Sequence, residues 1–142
     1  ILMNYYFDEI TVLDLFAGTG NISFEFASRG VPAITAVDGH LGCIQYINKI
    51  SEEFEFPIST VKSDVSKYLE KASGNYDVIF ADPPYDFTTE ALKKLVEVIM
   101  AKSLLNSEGM LIIEHAKQND LSSFPHFVEA RKYGSSVFSF FN

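Results

Sequence analysis

The sequence predicts one α/β domain built on a mostly parallel sheet, with helices on both faces and an antiparallel hairpin at the end. Three observations carry this. Short apolar runs alternate with amphipathic stretches between residues 11 and 114, the pattern of βαβ units. A glycine turn, Gly18-Thr19-Gly20, leads from the first apolar run into a helix-like stretch. Finally, residues 127–133 and 136–141 are strand-like and flank Gly134-Ser135, a two-residue hairpin signal.

The elements follow in order. The first strand is expected over residues 11–16, apolar except for Asp14, and the glycine turn opens a helix over 21–28. A second strand at 33–37 ends at Asp38-Gly39 before a helix over 41–53. A third strand at 58–62 meets Ser63-Asp64-Val65 and a helix over 65–71. The fourth strand, 76–81, runs into Asp82-Pro83-Pro84-Tyr85. The helix over 88–102 has the plainest pattern: Leu92, Leu95, Val96, Ile99 and Met100 recur at helical spacing, with Lys93, Lys94 and Glu97 opposite. A fifth strand is expected at 109–114, and the hairpin completes a seven-stranded sheet. Residues 1–7 look like the end of a helix entered midway, so an upstream segment is expected to be missing from a single domain spanning 1–142.

Composition narrows the function. A chain of 142 residues buries roughly 68–70% of the surface its unfolded form exposes and folds without staples. Hydrophobic residues make up 47%, with 13 Phe and 7 Tyr, which argues against disorder. The single Cys43 excludes an internal disulfide; with no signal peptide or long apolar span, the expected compartment is the cytoplasm, with no membrane role. Eleven basic against 19 acidic residues leave a net charge of −8, the wrong sign for a protein held on a naked polyanion by charge. Lys93, Lys94, Lys102, Lys117, Arg131 and Lys132 lie in the second half, where a local basic face is expected.

The chemistry-bearing residues fall at strand exits, where open α/β sheets bind ligands. Two adjacent prolines fix both φ angles and cannot donate to a ladder, so Asp82 and Tyr85 are held rigidly. Their carbonyls are expected to be free acceptors. A planar amine stacked on Tyr85 would give one N–H to Asp82 and another to a proline carbonyl.

On the other side, Gly18 and Gly20 let a ligand lie against the main chain. Ser23 stands where a dinucleotide fingerprint has its third glycine, which argues against pyrophosphate. Asp14 suits an ammonium, directly or through water. Asp38 lies twenty positions after Gly18, the separation at which an acid meets ribose hydroxyls, and Gly39 leaves room. Asp64 would accept from an adenine amino group while Val65 or nearby apolar residues cover a face. That order lines up the methionine end, ribose, adenine and acceptor of S-adenosyl-L-methionine. The plainer readings are a tight turn for Gly18–Gly20, a turn for Asp82-Pro83-Pro84, and helix caps for Asp38 and Asp64. His40, His115 and His126 lack metal-site spacing, so no metal is expected; Cys43 reads as a packed thiol, and Gly-x-Ser-x-Gly is missing.

Residues 12–20 (VLDLFAGTG), Ser28-Arg29-Gly30, Ala36-Val37-Asp38, Ser63-Asp64, residues 80–85 (FADPPY), Tyr133-Gly134 and residues 137–141 together resemble the RsmD family of 16S ribosomal RNA guanine-N2 methyltransferases. That family belongs to the class I S-adenosyl-L-methionine-dependent enzymes with a Rossmann-like fold. The resemblance implies cofactor contacts from Asp14, Gly18, Gly20, Asp38 and Asp64; Ala17, Thr19, Gly39, Ser63 and Val65 beside them are expected to complete the cofactor site. It implies an acceptor site at Asp82, Pro83, Pro84 and Tyr85 and 16S rRNA as the substrate; the acidic balance favours a ribonucleoprotein particle over naked RNA, and a monomer is expected. It further implies an upstream segment that helps engage RNA and cofactor. The rivals are a DNA adenine-N6 or cytosine-N4 or a protein-glutamine methyltransferase, a non-catalytic cofactor-binding module, and a nucleotide-binding oxidoreductase.

Overall fold

The computed structural model describes residues 6–142. Seven strands form one sheet in the order β3-β2-β1-β4-β5-β7-β6: β1 (Thr11–Leu15), β2 (Ala33–Asp38), β3 (Ile58–Lys62), β4 (Tyr76–Ala81), β5 (Leu105–Ala116), β6 (Phe127–Tyr133) and β7 (Ser136–Phe141). The first five run parallel, and β7 lies antiparallel between β5 and β6. The expected helix end over residues 1–7 lies outside the described residues for its first five positions; Phe7–Glu9 form one 3-10 turn.

The central strands read as continuous apolar runs because both their faces are buried. Leu13, Leu15, Ile79, Ala81, Leu111 and Ile113 face helices α3 (Val65–Lys71) and α4 (Thr89–Ala101). Val12, Ile34, Val78, Phe80 and Ile112 lie on the other face, with Phe26 and Ala27 of α1 (Asn21–Ser28). Helix α2 (Leu41–Phe54) packs beside α1, where the rings of Phe24 and Tyr46 meet edge-on at 6.4 Å. Thr88 caps α4, its Oγ1 accepting from the Ala91 N–H at 3.1 Å.

Two boundaries differ from expectation. Strand β1 stops at Leu15 because Phe16 takes a positive φ of 57°, a left-handed turn that no ladder continues. Strand β5 starts at Leu105 rather than residue 109: Tyr76 pairs with Leu105, and the register shifts before Val78 pairs with Met110. Asn106-Ser107-Glu108-Gly109 has turn chemistry, yet the irregularity accommodates it. Asn106 Nδ2 donates to Asp77 at 2.7 Å, and a Cβ at Gly109 would lie 3.0–3.1 Å from three backbone carbonyl oxygens.

Because α1 carries the chain from β1 outward to β2, and α3 returns it across β1 to β4, the strand order reverses between β1 and β4. That reversal opens a crevice at the carboxyl ends of the strands.

Candidate active site at the carboxyl rim

Asp14, Asp38, Asp64 and Asp82 stand at or just beyond the carboxyl ends of β1, β2, β3 and β4. These strands are parallel neighbours, so all four acids share one rim with Gly18. Asp14 feels the charges of both Asp82 and Asp38, so each of these lies within electrostatic reach of it.

Asp14 is 1% exposed. Burial pushes its carboxyl up to about 7, opposed by hydrogen bonds from Ser23. Ser23 Oγ donates to Asp14 Oδ2 at 2.7 Å. The serine that breaks the dinucleotide fingerprint therefore has a positive role, which its spacing from Asp14 did not reveal.

The glycine turn is held by Ala17 N–H to the Val37 carbonyl at 3.0 Å and Gly20 N–H to the Ala17 carbonyl at 2.9 Å. Its two glycines do different work. Gly18 has φ +57° with no atom within 4 Å of where a Cβ would stand, so its outer side is open. At Gly20, φ +89°, a Cβ would lie 2.8 Å from Ile47 Cγ1 and 3.1 Å from Phe24 Cζ. Space for close approach to the main chain thus lies at Gly18, whereas the missing Cβ at Gly20 makes room for Ile47 and Phe24. Thr19 is exposed between the two glycines.

Asp38 ties this turn to α2. Its Oδ2 accepts the Gly18 N–H and its Oδ1 the His40 N–H, both at 2.8 Å. It caps no helix, since the residue before α2 is His40. Asp64 does occupy the cap position of α3 but makes no bond to that helix's backbone N–H groups; its Oδ2 accepts from Ser66 Oγ at 3.2 Å. Ser63 N–H bonds the Asp38 carbonyl at 3.0 Å, and a Cβ at Gly39 would meet only the Ser63 carbonyl, at 3.9 Å. Val65 departs from expectation. Its side chain is buried with Leu69 in the core facing α3 and α4, so it does not present an apolar cover to a base.

Across the reversal, Asp82 N–H reaches the Leu15 carbonyl at 3.4 Å, Pro83 is buried, and Tyr85 is 69% exposed. The Asp82 carboxyl is pushed up to about 6, first by partial burial and then by Glu114. The expectation of two free proline carbonyls holds for one only. Pro84 accepts the Phe87 N–H at 3.0 Å, whereas Pro83 accepts no hydrogen bond among the described residues. Phe87 in turn meets Phe16 edge-on at 5.5 Å. That contact locks the left-handed Phe16, a conformation costing roughly 1–2 kcal/mol, and joins the glycine turn to the Asp82–Tyr85 loop.

The second-half cations are partly engaged internally: Arg131 pairs with Glu129 at 3.3 Å and Lys102 Nζ donates to the Glu70 carbonyl at 2.8 Å. Among the described residues no helix is long and apolar enough to cross a membrane.

The family model described as "Conserved hypothetical protein 95" matches residues 1–142. The chain is 27% identical over 103 residues to Ribosomal RNA small subunit methyltransferase D of Buchnera aphidicola (subsp. Baizongia pistaciae), covering 72% of this chain and 52% of that one. It therefore spans about half the length of that relative. It is 31% identical over 121 residues to Ribosomal RNA large subunit methyltransferase K/L of Pseudoalteromonas translucida, covering 75% of this chain and 17% of that one. A solved structure of a conserved hypothetical protein of Streptococcus pyogenes superposes with a TM-score of 0.81 at 28% identity, over 94% of this chain and 86% of that one.

Proposed function

The chain belongs to the conserved hypothetical protein 95 family, the RsmD family that its motifs resemble, and on that premise we propose that it is the catalytic domain of an S-adenosyl-L-methionine-dependent methyltransferase. Its acceptor would be the exocyclic N2 amino group of a guanine in small-subunit (16S) ribosomal RNA, met in the cytoplasm within a ribonucleoprotein particle. The observation that carries this reading is the approach of Asp14, Asp38 and Asp82 along one rim, on either side of the strand reversal.

The cofactor suits the residues present. A buried carboxyl raised to about 7 gains ionisation from a cationic neighbour such as an ammonium, and each Asp38 oxygen retains a lone pair beyond its backbone bond. The open side of Gly18 leaves main chain accessible. Asp14, Gly18, Asp38 and Asp64 would hold the methionine end, ribose and adenine, with Ala17, Thr19, Gly20, Gly39 and Ser63 shaping the cradle. When bound, the cofactor supplies an electrophilic methyl group.

The acceptor half supplies positioning. A guanine amino nitrogen is a poor nucleophile because its lone pair is delocalised into the ring. Bonds from its two hydrogens to Asp82 and the Pro83 carbonyl favour a pyramidal nitrogen with the lone pair directed at the reacting partner. Asp82 stabilises the positive charge that develops on nitrogen and is placed to accept the departing proton. Tyr85, exposed and aromatic, stacks on the base, worth about 1–3 kcal/mol, and the base arrives unpaired or flipped.

Calorimetry is expected to register S-adenosyl-L-methionine or its demethylated product and not NAD; binding of NAD alone overturns the cofactor reading. Nucleoside mass spectrometry of both ribosomal RNAs, from a strain lacking the full-length gene, should show loss of one N2-methylguanosine from the small subunit. Loss from the large subunit instead would reassign the substrate.

A further inference from the structure

The rim carries a second acceptor-side carboxylate to which the resemblance assigns no role. Strands β4 and β5 pair with Ala81 beside Ile113, and one further step along both sets Asp82 beside Glu114. Side chains alternate along a strand, so both acids share the face of Phe80 and Ile112, which pack in one core cluster. At the strand ends, Asp82 and Glu114 also border a small crevice that Pro83, Tyr85, Phe87 and Leu92 close from the α4 side.

Like charges directly opposite in a sheet are destabilising. Here no protein group offsets the repulsion, since among the described residues neither carboxylate accepts a hydrogen bond or meets a cation. Partial burial first, and this repulsion second, raise the Asp82 carboxyl. Two adjacent unpartnered acceptors match a ligand edge with adjacent donors. Among amino-bearing bases, guanine alone offers this, its N1–H standing beside the N2 amino group. Adenine and cytosine present a ring acceptor beside their amino group, which a carboxylate repels.

We propose that Glu114 is a specificity-determining residue that accepts the guanine N1–H while Asp82 and the Pro83 carbonyl hold the amino group. This rests on the methyl-transfer reading of the site. Glu114 selects the base, and Asp82 acts on the nitrogen. Loss of the N1–H acceptor should therefore change which base is chosen.

The test compares the wild-type chain, Glu114→Gln and Glu114→Asp on small-subunit RNA from a strain lacking the full-length gene. The cofactor is supplied, and methylated nucleosides are quantified by mass spectrometry. Wild type is expected to form N2-methylguanosine. Glu114→Gln, whose amide can turn a donor toward a ring acceptor, should lose at least about tenfold in N2-methylguanosine. Its ratio of N6-methyladenosine to N2-methylguanosine should rise at least about tenfold. Glu114→Asp should keep the guanine preference, and S-adenosylhomocysteine binding by calorimetry should be unchanged in both variants. If wild type forms N2-methylguanosine and Glu114→Gln matches it in rate and ratio, Glu114 has no selective role. A selective role is equally overturned if the Asp and Gln variants lose activity alike, or if either loses cofactor-product binding. All three of these results leave methyl transfer intact. A wild type that methylates no RNA base overturns the functional reading, and the role of Glu114 falls with it.

Discussion

The two halves of the rim treat their carboxylates in opposite ways. On the β1–β2 side Asp14 and Asp38 are buried, and donors within the chain meet them: Ser23 for Asp14, the Gly18 and His40 N–H groups for Asp38. On the β4–β5 side Asp82 and Glu114 are more open, face each other, and have no donor among the described residues. The difference teaches how the site divides its labour. The first half is organised before any ligand arrives, because Asp38 holds the glycine turn and Asp14 holds α1 through Ser23. The second has no donor of its own, and the donor edge of the proposed acceptor would relieve that repulsion.

The largest expected effect tests the half that lacks a donor. Asp82→Ala should reduce methyl transfer on the order of 10²–10³-fold, while S-adenosylhomocysteine binding measured by calorimetry stays within about twofold. A variant that keeps turnover would place the chemistry elsewhere.

Asp14→Asn tests the organised half. Because the folded-state carboxyl titrates near 7 rather than 3.8, the folded protein holds this proton more tightly than the unfolded chain. Its stability therefore falls as pH rises through that window. The substitution removes the penalty, so it should stabilise the ligand-free protein by about 2–4 kcal/mol at pH 8 and by little at pH 4, read from denaturant midpoints. Cofactor affinity should fall in the same variant. A destabilised variant at pH 8 would mean that the Ser23 bonds outweigh burial.

Asp38→Ala removes an acceptor shared by the turn and the proposed ribose contact. Cofactor affinity should weaken by about 1–3 kcal/mol, seen by calorimetry. Unchanged affinity would confine Asp38 to holding the Gly18 and His40 backbone.

The smallest effect is a shift of titration midpoint. With Asp82 raised to about 6, the single-turnover rate should rise with pH through about 6 as its carboxylate forms. On the neighbouring strands, Glu114 from β5 is the charge that raises Asp82, and Asp14 from β1 feels Asp82 in turn. Glu114→Gln should move the midpoint down, and a midpoint that stays put would remove the coupling on which the contrast between the two halves depends.

Much of this was legible before any fold was known, for local reasons. Helix α4 announced itself by apolar spacing, β4 by a run ending in prolines, and the terminal hairpin by Gly134-Ser135. Other features were hidden for equally physical reasons. The start of β5 lies under turn-forming residues that a register shift absorbs. Val65 sits beside Asp64 in sequence, but its helix turns the side chain into the core. Gly18 and Gly20 look equivalent in the chain, and only the approach of Ile47 from α2 separates them.

From the sequence alone came the strand exits, the glycine turn and the Asp82–Tyr85 loop, since turn chemistry and periodicity act over a few residues. Tertiary structure decided which acids meet. Ser23 finds Asp14 because α1 folds back over β1, Phe16 is held by Phe87 from another loop, and Glu114 reaches Asp82 through the register of β4 and β5. Those pairings are set by how strands align after a helix has crossed between them, and no local pattern in either segment records that alignment.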